Sequence, residues 1–184
     1  MNNKAYILLA EGFEVIEALA TIDVMQRGGI ECVRVAIGGD LSVISSHGIV
    51  ACRADQLLAE SDLSDGTALI LPGGNPGYLN LGQNEQVREW VRRYYNEGRV
   101  VAAICGAPTV LALSEVARGS RITCHSSVRE QMEGYDVVGG NVVEAGNLIT
   151  GAGAGVSVEF ALAVAARLTD EQTLARIKKG MEVA

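Results

Sequence analysis

The chain has 184 residues, 48% of them hydrophobic and 20% charged, the size and balance of one soluble globular domain with a sizeable core. A net charge of −7, with no basic cluster beyond the short run at residues 176–179, excludes a nucleic-acid surface. The first apolar run, residues 6–10, is too short for a signal peptide or a membrane span and is closed off by Glu11 and Glu14, so a cytoplasmic protein is expected.

Residues 6–10 read as a buried first strand. Residues 14–28 read as a helix in which Val15, Ile16, Leu19, Ile22 and Val24 or Met25 fall near helical spacing, ended by Gly28 and Gly29. Glu17 stands among apolar neighbours close to the first loop. It is either a solvated helix carboxylate or a carboxylate facing the strand ends, where partial burial raises its pKa toward neutrality. Residues 30–37 form the second strand. Gly38, Gly39 and Asp40 then turn into residues 41–52, which look like a β-hairpin bent near His47 and Gly48. Residues 57–63 suggest a loop with a short helical turn, and residues 67–71 another buried strand.

Pro72, Gly73 and Gly74 follow that strand. Two glycines at a strand's C-terminal end permit a backbone nest whose N–H groups point at an anion or oxyanion, although such pairs also simply mark turns. Residues 84–98 form an amphipathic helix capped by Gly98. Residues 121–124 make a short strand with His125 directly after it, and a helical turn covers residues 126–132. Residues 137–143 and 148–150 look like peripheral strands. Residues 156–168 form a helix opened by a glycine-rich stretch, and Asp170 caps the last helix. Strands alternating with helices give an α/β, flavodoxin-like three-layer sandwich with a mainly parallel central sheet.

The chain is organised around residues 99–111, Arg-Val-Val-Ala-Ala-Ile-Cys-Gly-Ala-Pro-Thr-Val-Leu. The stretch opens as a buried strand and closes as a helix, because Pro108 suits a first helical turn. Cys105 sits at the join, followed by Gly106. Such an elbow pushes one side chain over the sheet edge, and a helix N-terminus favours thiolate, so a lowered pKa is expected. The alternative is a core thiol, since free cysteine is often buried as a small hydrophobe. Cys32, Cys52, Cys105 and Cys124 show no CxxC spacing, so structural disulfides are not expected. Cys52, on a hairpin edge, suits either packing or a dimer surface. With two histidines and no Cys/His pairing, no metal site is expected.

Three segments together resemble the ThiJ/PfpI superfamily, and within it the branch of the parkinsonism-associated protein deglycase. They are Leu71-Pro72-Gly73-Gly74-Asn75, Ala103-Ile104-Cys105-Gly106-Ala107-Pro108 and Glu11-Gly12-Phe13-Glu14-Val15-Ile16-Glu17. The similarity also covers Asp23 to Ile30, Ile122 to His125 and Gly155 to Leu162, nearly the whole chain. The resemblance implies a single ThiJ/PfpI-like (class I glutamine amidotransferase-like) domain over residues 1–184, a homodimer, and no cofactor. It implies Cys105 as nucleophile, Glu17 as the carboxylate sharing its proton, and His125 as the nearby histidine. It also implies an oxyanion hole from Gly74 and Gly106 N–H groups on a loop shaped by Gly73. The implied activities are glutathione-independent conversion of methylglyoxal to lactate and deglycation of glyoxal adducts, so the expected partners are small reactive carbonyls or glycated adducts. Redox sensing and holdase chaperoning through the same cysteine are the alternative. His47 and Ala152 fall where close relatives carry arginines. Gly106, and the lack of a histidine after His125, weaken peptidase and amidotransferase readings.

Overall fold

The computed structural model describes residues 3–183. In chain order its elements are β1 (Lys4–Leu9), α1 (Val15–Arg27), β2 (Glu31–Ala36), β3 (Ser42–Ile44), β4 (Ala51–Arg53), β5 (Gln56–Leu57) and β6 (Ala68–Leu71). There follow α2 (Gly77–Gln83), α3 (Glu85–Asn96), β7 (Val100–Ile104), α4 (Pro108–Leu113), β8 (Arg121–Ile122), β9 (Asp136–Val137) and β10 (Val142–Ala145). The chain ends with β11 (Leu148–Gly151), α5 (Ser157–Ala166) and α6 (Glu171–Gly180). The main sheet has the order β10-β11-β7-β6-β1-β2-β5, parallel throughout except for the β10–β11 pair. This is the flavodoxin-like α/β sandwich expected from the alternation of elements.

The parallel strands are apolar along their whole length because both faces are covered. Alternate residues divide between two cores. Ala5, Ile7 and Leu9 of β1 face the side packed with residues of α1, α5 and α6, among them Val24, Met25, Phe160, Val164 and Ile177. Tyr6 and Leu8 face the other side, with Val87, Val91 and Tyr94 of α3 and Val110 and Leu111 of α4. Helix ends follow local rules: the Asn84 side chain accepts from Val87 N at 3.1 Å, and Asp170 caps α6 by accepting from Thr173 N at 2.7 Å. Among the described residues no helix is long and apolar enough to cross a membrane.

Four local expectations are corrected. In α1 the inward face is Glu17, Ala18, Thr21, Val24 and Met25, whereas Ile16 and Leu19 are 55% and 36% exposed. A buried carboxylate thus replaces the apolar residue that a simple stripe would have placed there. The strand expected over residues 137–143 breaks at Gly139 and Gly140, the latter at φ +140°, into β9 and β10. β8 stops at Ile122 and pairs with β9 instead of joining the main sheet. Finally, β11 is not peripheral: it lies between β10 and β7 and all four of its residues are buried. Cys52 packs in the core.

From inside the sheet, β11 braces two neighbouring segments. Thr150, fully buried, accepts a hydrogen bond from Thr123 N at 2.9 Å, tying down the segment that leads to His125. Gly151 O accepts from Cys105 N at 2.9 Å. Replacing Thr150 with the near-isosteric valine leaves a buried N–H without a partner, which costs about 1–3 kcal/mol. Thr150→Val is therefore expected to lower the stability by that amount, shifting the urea midpoint down with an unchanged slope in equilibrium denaturation.

Candidate active site

The buried strand β7 delivers Cys105 to the C-terminal edge of the sheet, where open α/β folds place their ligand sites. The strand-to-helix turn forces Cys105 to φ +65°, a left-handed conformation that non-glycine residues seldom adopt. Neighbours hold it there: its N–H donates to Gly151, its carbonyl accepts from His125 N at 2.8 Å, and Ala107 N donates to Ile104 O at 3.0 Å. Strain of this kind persists only where surrounding bonds over-determine it, as here. Pro108 occupies the first turn of α4, as expected.

Glu17 approaches the same point from α1. Its side chain is completely buried, and Oε2 accepts from Gly73 N at 2.7 Å. Gly73 was expected on the oxyanion-binding loop. Its N–H is engaged by Glu17, so its place is to orient the carboxyl group. It must be glycine for a further reason: a Cβ there would fall 2.7 Å from Cys105 Cβ and 2.8 Å from Glu17 Oε2. Gly74, at φ +94°, lies so close to the segment after β1 that a Cβ would meet Glu14 N at 2.3 Å. The backbone N–H groups of Gly74 and Gly106 both interact with the Cys105 sulfur.

The electrostatics follow from this enclosure. Burial raises the Glu17 carboxyl to about 7, against the pull of the Gly73 N–H and the Cys105 thiol. The Cys105 thiol is pushed up to about 12, first by burial and then by the facing Glu17 carboxylate, with the Gly106 and Gly74 N–H groups opposing. This corrects the expectation of a lowered thiol pKa. A helix of six residues behind the sulfur does not outweigh desolvation and an adjacent negative charge. Between about 7 and about 12 the two groups together hold one proton. Glu17 Oε1 is buried and, among the described residues, has no hydrogen-bond partner of good geometry, while Oε2 already accepts from Gly73. Oε1 is thus the oxygen free to carry that proton, and with the proton there the sulfur is a thiolate facing two N–H donors.

A cavity of about 400 Å³ opens over the sulfur, lined by Glu17, Gly74, Cys105, Gly106 and His125 together with Glu14, Ser46, His47, Asn75, Tyr78, Ser127 and Ala154. His125 stands at the exposed rim. Its Nδ1 lies 2.8 Å from Ser127 Oγ and accepts from Ser127 N at 3.2 Å. An N–H can only donate, so the neutral ring assigned from this network carries its proton on Nε2. Chain-order reasoning gave no role to Glu14, Tyr78 or Ser127. No local pattern marks them, because each reaches the cavity from a different loop or helix end. Among the described residues no group of three His, Cys, Asp or Glu side chains is arranged to hold a metal ion.

The DJ-1/PfpI family model matches residues 3–167. The chain belongs to the DJ-1/PfpI family. It is similar to protein dj-1beta of Drosophila melanogaster, 35% identical over 186 residues that cover 100% of this chain and 99% of that protein. The crystal structure of that fly DJ-1beta superposes with a TM-score of 0.96 over the full length of both chains. It is also similar to the Parkinson disease protein 7 homolog of Danio rerio, at 31% identity over 96% of this chain and 95% of that one. A third similar member is the glutathione-independent glyoxalase DJR-1.2 of Caenorhabditis elegans, at 32% identity over 89% and 87% of the two chains.

The buried Glu17 carboxyl leaves a thermodynamic signature. Glu17 moves from an ordinary 4.5 when unfolded to about 7 when folded, so over that window the folded state keeps a proton that the unfolded state has released. Stability then falls as pH rises. The stability of the wild type relative to Glu17→Gln should drop by about 3 kcal/mol between these two pH values and stay level below them. Paired urea titrations across pH measure it.

Proposed function

We propose that this DJ-1/PfpI protein is a cysteine-dependent enzyme of reactive-carbonyl detoxification, acting as a glutathione-independent glyoxalase and, by the same opening step, as a deglycase. The observation that carries the reading is the pairing of Cys105 with a fully buried carboxyl group of near-neutral pKa, beneath a small cavity. With the proton on Glu17, the Cys105 thiolate attacks the aldehyde carbon of methylglyoxal. The N–H groups of Gly74 and Gly106 stabilise the oxygen on which negative charge develops. Glu17 delivers its proton to give a neutral hemithioacetal. It then takes the proton from the former aldehyde carbon and returns one to the neighbouring carbon, a task suited to a carboxyl group titrating near neutrality. The product of that shift is a lactoyl thioester. Water cleaves it to lactate and regenerates the thiol. In this reading His125, which lines the same cavity, donates from Nε2 to the substrate's second carbonyl oxygen. The similarity to a relative named as a glutathione-independent glyoxalase supports the same chemistry.

A second reading rests on the same oxygen. Glu17 Oε1 is a buried, unpartnered site for a proton beside the sulfur, which suits it to donate to an oxygen of an oxidised Cys105. Under that reading the protein is a redox sensor or holdase, and carbonyl turnover is negligible. The two separate cleanly on lactate. Wild-type protein is expected to form lactate from methylglyoxal catalytically without glutathione. Cys105→Ser should lower the rate by about 10³-fold or more and Glu17→Gln by roughly 10²–10⁴-fold. Loss of methylglyoxal alone is not a suitable readout, since any exposed thiol or arginine consumes it. A reduced, folded wild type that makes no lactate overturns the enzyme reading in favour of the sensor.

We also propose a homodimer, in the cytoplasm, where a reducing milieu suits four cysteines that form no disulfide among the described residues. Ile16 and Leu19 lie exposed on α1, and Ile16 borders a groove of about 680 Å³ walled by Val156, Leu162, Leu174 and Val183. Apolar surface of this kind is what a second copy would cover. Sedimentation equilibrium is expected to give twice the chain mass, and Ile16→Asp to shift the protein to monomer.

A further inference from the structure

The cavity over Cys105 has a one-sided charge. The described residues lining it include two carboxyl groups, Glu14 and Glu17, and two imidazoles, His47 and His125, but no lysine or arginine. Glu17 is the proton-carrying partner of the sulfur. Glu14 has no part in that chemistry, yet it is firmly placed. Its N–H donates to Gly73 O at 2.9 Å, locking its backbone to the glycine loop, and its Oε2 accepts from Ser46 Oγ at 3.2 Å. Among the described residues no cation forms an ion pair with it, in contrast to Asp55 with Arg34 or Glu85 with Arg92. Its field reaches the reacting pair, because its charge contributes to the raised pKa of Glu17. An uncompensated carboxylate at the mouth of a small, partly enclosed cavity acts with less screening than one on an open surface.

We propose that Glu14 is a specificity-determining residue that filters substrates by charge, admitting neutral or cationic carbonyl compounds and excluding anionic ones. Oxoacids and phosphorylated carbonyls of similar size are discriminated against before any chemistry occurs. The inference rests on the reading of Cys105 as the attacking group, and it extends that reading from reaction type to substrate charge. The Gly74 and Gly106 N–H groups face the sulfur, so an anionic substrate meets the Glu14 carboxylate at the mouth with no lysine or arginine among the described lining residues to offset it.

The test uses two alkylating reagents of nearly equal size, neutral iodoacetamide and anionic iodoacetate. In both cases the Cys105 thiolate displaces iodide, so the ratio of the two rates cancels the ionisation of the sulfur and reports the local field. Rates are followed by mass spectrometry of the Cys105-containing peptide at about pH 8.5, above the ordinary imidazole range. The iodoacetate-to-iodoacetamide ratio is expected to lie about five- to tenfold below that of 2-mercaptoethanol. Glu14→Gln, which keeps an acceptor for Ser46, should raise it about threefold or more, while Glu31→Gln at a remote exposed carboxylate leaves it unchanged. In the wild type, added sodium chloride should raise the ratio as the field is screened, which tests the filter without any variant.

A ratio equal to that of 2-mercaptoethanol, or a depressed ratio indifferent to both Glu14→Gln and salt, overturns the filter. Cys105 left unmodified by both reagents overturns the filter and the nucleophile reading together. Alkylation requires only the thiol. A depressed, Glu14-dependent ratio in a protein that forms no lactate therefore upholds the filter while overturning the proposed turnover.

Discussion

A carboxyl group with no exposure to solvent, set against a cysteine, is the constraint on which the rest of this structure depends. Placing Glu17 inside the protein costs desolvation, and the fold offsets only part of that cost with the hydrogen bond from Gly73 N and the neighbouring Cys105 thiol. The remainder is relieved by keeping a proton, which is why the group titrates near neutrality and why the neighbouring sulfur can exchange a proton with it. The pair is unfavourable for stability and useful for chemistry for one and the same reason.

The surrounding architecture serves that pair. Parallel strands β6 and β7 end side by side, so their following loops bring Gly73, Gly74, Cys105 and Gly106 to one edge. β11, lodged inside the sheet next to β7, supplies the Gly151 carbonyl that fixes Cys105 and the Thr150 hydroxyl that fixes the segment before His125. The glycines make contacts possible that any side chain would block. At Gly73 a single added carbon would collide with both members of the pair, and at Gly74 with the backbone that precedes α1.

Reactivity in this site does not come from a permanently ionised thiol. Burial and the facing Glu17 carboxylate raise the pKa of the Cys105 thiol, and the Gly106 and Gly74 N–H groups oppose that shift. In the mechanism proposed above, the thiolate arises when Glu17 takes the proton. The proposed charge filter draws on the same enclosure, since a second carboxylate, Glu14, lines the same cavity and forms no ion pair among the described residues. The two readings proposed for the site, carbonyl chemistry and sulfur oxidation, both rest on Glu17 Oε1.

Much of this protein was legible in the order of its residues. Apolar runs bounded by glycine identified the buried strands, because a strand covered on both faces has no polar positions. The strand–Cys105–Gly106–Pro108 succession identified the elbow, because proline at a helix start and a cysteine at the join are local features. The resemblance to the ThiJ/PfpI superfamily, carried by three separated segments and extending over Ile122 to His125, brought Glu17 and His125 to the same site. Other properties were decided only in three dimensions. The helical stripe of α1 pointed to Ile16 and Leu19 as core, yet the packed face carries Glu17, since a polar residue can be buried where another loop supplies a donor. The internal place of β11, the charge left at the cavity mouth by Glu14, and the raised pKa of Cys105 likewise escaped a linear reading. A pKa is set by burial and by neighbours distant in sequence, and those exist only once the chain has folded.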